Sequence, residues 1–413
     1  MPSNNRLWQN FRLGRHHRFH PLGEFRLMEC GAEYFPALER AIALAKNSIC
    51  IEVYIFANDL IGQQISRALC AAAQRGVSVK VIVDWIGSGK LAFETEWQEA
   101  GVEFHYYNPK IFGPFGLSRT HRKITVIDRT YAFVGGINIC DDWQDISGKK
   151  LQNPRWDFAA EISDELVLEV QIAFDWQWRR TAIQKLSAKG IRQRFNDLNF
   201  PWAEWVTAKS DKALVGPVGA FVARDNLHYR RAIEKLYLKA IGAASKEIYL
   251  VNPYFLPSRK LRLALILAAK RGVKVNLLIG RGQFKWLDAA VSALYGVLLK
   301  SGIQVYEYTY EQLHAKLMVT DGHWLTLGSS NCDPLSFFVN HEANLIVIDS
   351  EQANQLIEKI RATIILRARA VEMLDYQHRP LYKKIIQWLA YIVSRIMTRV
   401  LIYGVYDHSK KQP

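Results

Sequence analysis

Cysteine is scarce in this chain, and its five copies, Cys30, Cys50, Cys70, Cys140 and Cys332, form no C-x-x-C pair. That absence argues against a zinc site, and the apolar runs around several of them suit reduced, buried thiols in a reducing compartment. Long apolar runs are missing too: no stretch offers about 18 uncharged apolar residues, so a membrane-spanning helix is not expected. The first twenty residues, MPSNNRLWQNFRLGRHHRFH, hold four arginines, three histidines and no acid. They lack the apolar core of a signal peptide, so no export signal is read there. His16, His17 and His20 among those arginines read as a solvated basic arm, 1–22, rather than a metal site.

What is present in excess is positive charge. Lys+Arg 54 against Asp+Glu 39 leaves +15, which favours a polyanionic partner, either nucleic acid or an anionic lipid surface. With 413 residues, 49% hydrophobic and 23% charged, the chain suits two globular domains.

Two segments repeat. SICIEVYIFANDLIGQQISRALCAAAQRGVSVKVIVD (48–84) and KEIYLVNPYFLPSRKLRLALILAAKRGVKVNLLIG (246–280) each read as strand, loop, amphipathic helix ending at Arg-Gly, and a second buried strand. Gly76 and Gly272 are the expected helix C-caps, and the pattern is a βαβ unit used twice. Downstream of each comes an apolar hairpin, THRKITVIDRTYAFVGGIN and LHAKLMVTDGHWLTLGSSN. His121, Lys123, Asp128 and Asn138 recur as His314, Lys316, Asp321 and Asn331 with the same spacing. The seam is expected in the polar stretch near AKGIRQRFNDLNFPW, with halves 23–204 and 205–376.

Residues two apart in a strand share a face and lie about 7 Å apart, so each His-x-Lys could grip one small anion. Two such sets brought face to face suit a phosphodiester. One neutral imidazole attacks phosphorus, the other delivers a proton to the departing oxygen, and the lysines and asparagines stabilise the non-bridging oxygens without a metal. Asp128 and Asp321 sit at an odd offset from the histidines, so alternation aims them at the opposite face. A supporting role at the hairpin turn is expected of them. A histidine used this way needs an acceptor on its other ring nitrogen, and Asp157 in RWDFAAEI and Glu342 in NHEANLIVI are assigned that task. Asp141 and Asp142 read as surface residues, and His323 and His341, which have no first-half counterparts, are left out of the site.

H-x-K-x4-D occurring twice, each followed by a small-residue turn and Asn, resembles the phospholipase D superfamily. GSSNCDPLSFFVNHEAN, NPYFLP and ARDN (223–226) are most similar to the short-form bacterial cardiolipin synthases. Cys332 and GGINICDDW depart from the usual pattern and bear on the choice of acceptor. The resemblance implies an α/β fold: two phospholipase D-like α/β/α sandwich halves with mixed sheets, related by pseudo-twofold symmetry, with the active site at the seam. It further implies a phosphatidyltransferase joining two phosphatidylglycerols, or phosphatidylglycerol and another lipid alcohol such as phosphatidylethanolamine, through a phosphatidyl-histidine, with release of glycerol. His121 would be the nucleophile and His314 the acid and base. Lys123, Lys316, Asp128 and Asp321 complete the motif set, with no cofactor or metal expected.

The same doubled motif also serves nucleases, and +15 would suit DNA. The discriminating feature is the C-terminus. Residues 383–406, KKIIQWLAYIVSRIMTRVLIYGVY, place Ile385, Ile386, Leu389, Ile392, Val393, Ile396, Val400 and Leu401 at helical spacing, interrupted by Lys383, Lys384, Gln387, Ser394, Arg395, Thr398 and Arg399. An interfacial helix with a basic side is the natural interpretation, and a helix packed on the core is the alternative. On the first interpretation 377–413 associates with an anionic membrane surface, at the cytoplasmic face of a bacterial inner membrane, and no nucleic-acid partner is expected.

Overall fold

A computed structural model describes residues 17–109, 117–145, 148–183, 216–226 and 229–410, with backbone alone for 401–410. Most of the expected basic arm and the expected boundary near Trp205 lie outside the described residues.

The first sheet runs β2 (Phe25–Glu29), β8 (Phe158–Ser163), β7 (Tyr131–Gly135), β6 (Ile124–Ile127), β3 (Ser48–Val53), β4 (Ser78–Asp84), β5 (Glu103–Tyr107). The second repeats that order as β9 (Val218–Arg224), β15 (Glu342–Ile348), β14 (Trp324–Gly328), β13 (Leu317–Thr320), β10 (Glu247–Asn252), β11 (Lys274–Gly280), β12 (Gln304–Tyr308). Two short edge strands extend it, β1 (His20–Pro21) beside β9 and β16 (Ala368–Ala370) beside β12. Within each sheet the last three strands are parallel and the others antiparallel. Both sheets are therefore mixed.

The βαβ units form as their patterns predict, with crossover helices Leu60–Gln74 and Arg259–Lys270. Asp59 and Ser258 cap their N-termini by accepting from Gly62 N and Leu261 N, satisfying main-chain donors that a helix start leaves open. Gly76 and Gly272 follow at φ +90°, a conformation that strains any residue with a Cβ.

Helices cover the outer face of each sheet. The inner faces meet in one shared core in which Ile124, Val126 and Phe158 of one half pack with Phe221, Leu317 and Leu345 of the other, together with Phe174 and Leu356 from the helices Glu165–Ile183 and Ser350–Arg367. Phe221 is fully enclosed there, and its truncation to Ala would cost about 3–5 kcal/mol. The halves thus share a buried apolar interface that fixes how their motifs meet.

His20 departs from the expected solvated arm. It lies between Glu165 Oε2 at 2.8 Å and Glu169 Oε1 at 2.9 Å; burial works against its charge, but the two carboxylates outweigh it and raise its pKa.

The C-terminal helix, Leu381–Lys410, is amphipathic in an inverted sense. Gln387, Tyr391, Ser394 and Thr398 form one stripe, and Ser394 is 2% exposed against the protein. On the other side Ile385, Leu389, Val393, Ile396 and Val400 point outward, 49% to 65% exposed. Among the described residues no helix is long and apolar enough to cross a membrane.

Candidate active site

The motif histidines and lysines do not sit inside strands but on extended lead-ins, since β6 begins at Ile124 and β13 at Leu317. Their main-chain partners lie across the seam. His121 N donates to His341 O at 2.8 Å and His314 N to Trp156 O at 2.9 Å, beside the parallel bridges Thr120 to His341 and Trp156 to Leu313. Each lead-in is thereby tied to the residue just before the other half's carboxylate, Glu342 or Asp157.

That register brings the acids across. His121 Nδ1 lies 3.0 Å from Glu342 Oε2, and His314 Nδ1 lies 2.5 Å from Asp157 Oδ2. An Nδ1–H donated to a carboxylate fixes the tautomer and leaves the Nε2 lone pair available. Neither Nε2 has a hydrogen-bond partner among the described residues. The sequence singles out both acids, but not that each serves the histidine of the opposite half.

Lys123 Nζ donates to His121 O at 2.6 Å, and Lys316 Nζ to His314 O. Burial pushes Lys123 down to about 7 and Lys316 down to about 8, with Glu342 and Asp157 acting in the opposite direction. Burial also lowers both imidazoles. It is opposed by Glu342 at His121 and reinforced by Lys316 and Lys123 at His314, which falls well below the usual histidine range. The crossed bonds and the lysine bonds to His121 O and His314 O hold all four side chains around one polar centre, where the lysines lower the proton affinity of both imidazoles. An arriving phosphate is the natural neutraliser of such a crowd of buried donors.

Asn138 Oδ1 accepts from Ile55 N at 3.1 Å, while the buried Asn331 Oδ1 has no partner among the described residues. Asp128 and Asp321 stand at the far ends of β6 and β13 from the histidines, at φ 51° and 55°. Asp128 accepts from the main-chain N–H groups of Lys46, Asn47 and Ser48, and Asp321 from those of Ser245, Lys246 and Glu247. They brace the turn that enters the neighbouring strand and take no part in the polar centre.

Several supporting residues escape a reading of the sequence. Tyr54 sets its ring edgewise to His121 at 5.0 Å, with Lys123 Nζ 5.3 Å from its centroid. Behind Thr120, buried Glu52 accepts from the Thr120 hydroxyl and faces Arg122 at 3.6 Å, while Asp84 accepts from Thr120 N at 2.9 Å. Burial raises Asp84 to about 7. The second half has Pro253, Val251, Ala315 and Gly280 where the first has Tyr54, Glu52, Arg122 and Asp84. A comparison of the repeats for unmatched charged residues would have found three of the four. Asp142, read from the sequence as surface, is buried, bonded to Gly31 N and 3.9 Å from Arg155; those two partners make its burial tolerable. Among the described residues no cluster of three or more His, Cys, Asp or Glu side chains could hold a metal ion.

The family description "Cardiolipin synthase, PLD-like domain" matches residues 38–146 and 237–364, one span in each half. A cardiolipin synthase B of Salmonella typhi is 35% identical over 359 residues, covering 84% of this chain and 82% of that protein. The chain belongs to the cardiolipin synthase family of phospholipase D-like proteins. Within this family, cardiolipin synthase 1 of Bacillus cereus is 28% identical over 384 residues, covering 90% of this chain and 72% of that one. Among solved structures, phosphatidylserine synthase of Haemophilus influenzae superposes with TM-score 0.71 at 17% identity, over 97% of this chain and 99% of that one. Polyphosphate kinase of Porphyromonas gingivalis gives 0.55 at 14% identity, over 91% and 53%. At those identities the likeness is one of fold, and this family member shares the doubled architecture.

Proposed function

We propose that the chain is a cardiolipin synthase that works while docked on an anionic membrane, on the cytoplasmic face of a bacterial inner membrane. His121 Nε2 attacks the phosphorus of one phosphatidylglycerol. The phosphorus–oxygen bond to the terminal glycerol breaks, and His314, which takes up a proton on Nε2 as the anionic phosphate enters and offsets the charge of the two lysines, gives that proton to the departing oxygen. A second phosphatidylglycerol then binds; its terminal hydroxyl loses a proton to His314 and attacks phosphorus, the phosphorus–nitrogen bond breaks, and His121 is regenerated. Lys123, Lys316, Asn138 and Asn331 hold the non-bridging oxygens, where charge concentrates in each transition state. Ionised Glu342 stabilises the positive charge that the phosphorylated His121 ring carries.

The observation that carries this reading is the crossed pairing of His121 with Glu342 and His314 with Asp157, which leaves two Nε2 atoms for one phosphodiester. The inverted C-terminal helix supports the location. Its exposed stripe would enter the acyl boundary, each well-buried side chain contributing on the order of 1–3 kcal/mol before ordering costs. Lys383 and Arg399 would add about 1 kcal/mol per charge at an anionic surface. The helix packs on helices Lys285–Ser292 and Pro334–Phe338, the second of which begins three residues after Asn331. A nucleic-acid substrate gives such a stripe no task.

The test is incubation of purified protein with vesicles of mixed phosphatidylglycerol and phosphatidylethanolamine, followed by lipid mass spectrometry. Cardiolipin with stoichiometric glycerol is the expected product. Phosphatidic acid alone would make the protein a hydrolase.

A further inference from the structure

Beside the C-terminal helix runs a groove of about 410 Å³, none of whose walls belongs to the polar centre. Leu263 and Ile266 of the helix Arg259–Lys270, Val297 and Trp388 give it an apolar lining, and Arg259 and Arg262 give it two guanidinium groups. Its size is that of a small-molecule site, which spans about 300–1,000 Å³. Arg262 Nη1 donates to Tyr391 Oη at 3.0 Å, so the inward stripe of the C-terminal helix holds one guanidinium in place. Neither arginine has a carboxylate partner among the described residues. Leu263, Val297 and Trp388 remain 50%, 44% and 58% exposed.

This combination selects its occupant. Guanidinium groups bind phosphate through paired N–H donors, and the adjoining side chains offer hydrocarbon contact to whatever carries that phosphate. Trp388 belongs to the groove and also flanks the outward apolar stripe, so an acyl chain in the groove would be continuous with the layer that the stripe enters. We infer that this groove is a second anionic-phospholipid site, separate from the catalytic centre. Arg259 and Arg262 hold the lipid phosphate, and Leu263, Val297 and Trp388 receive the start of an acyl chain. The inference rests on the reading that the C-terminal helix lies in the membrane, and it adds a specific lipid ligand to that contact.

The experiment uses full-length protein in dodecylmaltoside micelles containing phosphatidylglycerol with a photoreactive acyl chain, and maps the crosslinks by peptide mass spectrometry. Adducts are expected on peptides spanning 259–266 and 293–297. Arg259→Gln should lower their yield at least threefold, and Val297→Trp, which fills the groove from an exposed position, at least fivefold. Photoreactive phosphatidylcholine should label them at least threefold less. Unaltered thermal melting of both variants would show that the fold persists. Equal labelling by the two lipids, or adducts elsewhere with none on these peptides, would overturn the site. Micelles make the outcome independent of vesicle docking; failure of the docking reading would appear separately, as full-length protein that does not sediment with phosphatidylglycerol vesicles.

Discussion

The two halves carry the same motif at the same spacing but surround it differently. The acid serving His121 is Glu342, which also accepts from the Ser329 hydroxyl at 2.5 Å. The acid serving His314 is Asp157, and the residue equivalent to Ser329 is Gly136, where a Cβ would lie 2.3 Å from Asp157 Oδ1. Burial disfavours ionisation of both. At Glu342 the attraction of His121 and Lys123 and the bonds from His121 and Ser329 win, holding it below the usual carboxylate range. At Asp157 burial wins and raises it to about 6, against the pull of Lys316. Duplication therefore supplied two similar frames, and their second layers made one imidazole partner more anionic than the other. A covalent intermediate places lasting positive charge on one ring only, which matches Glu342 and His121 as the nucleophilic pair.

The comparison can be broken at four places, in order of expected effect. His121→Ala and His314→Ala should each lose about 10,000-fold or more in transfer rate, because groups acting as one unit do not substitute for each other. Equal fold and stability by circular dichroism should accompany the loss. Next, Glu342→Gln should reduce kcat by about 100- to 10,000-fold, as loss of an orienting, charge-stabilising acid does in a comparable His–acid pair. Asp157→Asn should cost at least tenfold less; equal losses would mean that the halves are chemically symmetric. Ser329→Ala removes one charge-assisted hydrogen bond, about 1.5–3 kcal/mol, so a fall in kcat of about 10- to 100-fold is expected. The smallest effect is on pH. Burial pushes Lys123 down to about 7 and Lys316 down to about 8; a lysine loses its charge as pH rises through its pKa, so kcat/KM should decline through that interval. Lys123→Arg should move the decline upward.

Much of this was legible in the sequence. The βαβ units follow from apolar periodicity and the Arg-Gly helix ends, and the doubled site from the equal spacing of His121, Lys123 and Asn138 with His314, Lys316 and Asn331. Asp128 and Asp321 stand at the hairpin turns, where a supporting role was expected of them, and it is the length of β6 and β13 rather than alternation that separates them from the histidines. What local pattern could not show is pairing across the seam. Glu342 reaches His121, 221 residues away, only because the apolar faces of the two sheets pack together, and that geometry has no short-range signature. Glu52 and Asp84 were hidden for another reason: single carboxylates inside apolar strands look like ordinary exposed positions until the strand is seen to be buried on both faces. In the C-terminal helix the sequence could not say which stripe faces the protein, because periodicity defines two faces and not their directions; Ser394 is buried while Ile385, Leu389 and Val393 are exposed.

The most direct measurement is acid quench of the enzyme during turnover of phosphatidylglycerol labelled in its phosphate, followed by peptide mapping under conditions that preserve phosphoramidates. Two displacements through the crossed pairs predict a labelled phosphatidyl adduct on the peptide containing His121, chased into cardiolipin when unlabelled phosphatidylglycerol is added. Label on His314 would reverse the assigned roles, and the absence of any adduct together with inversion at phosphorus would contradict the covalent route.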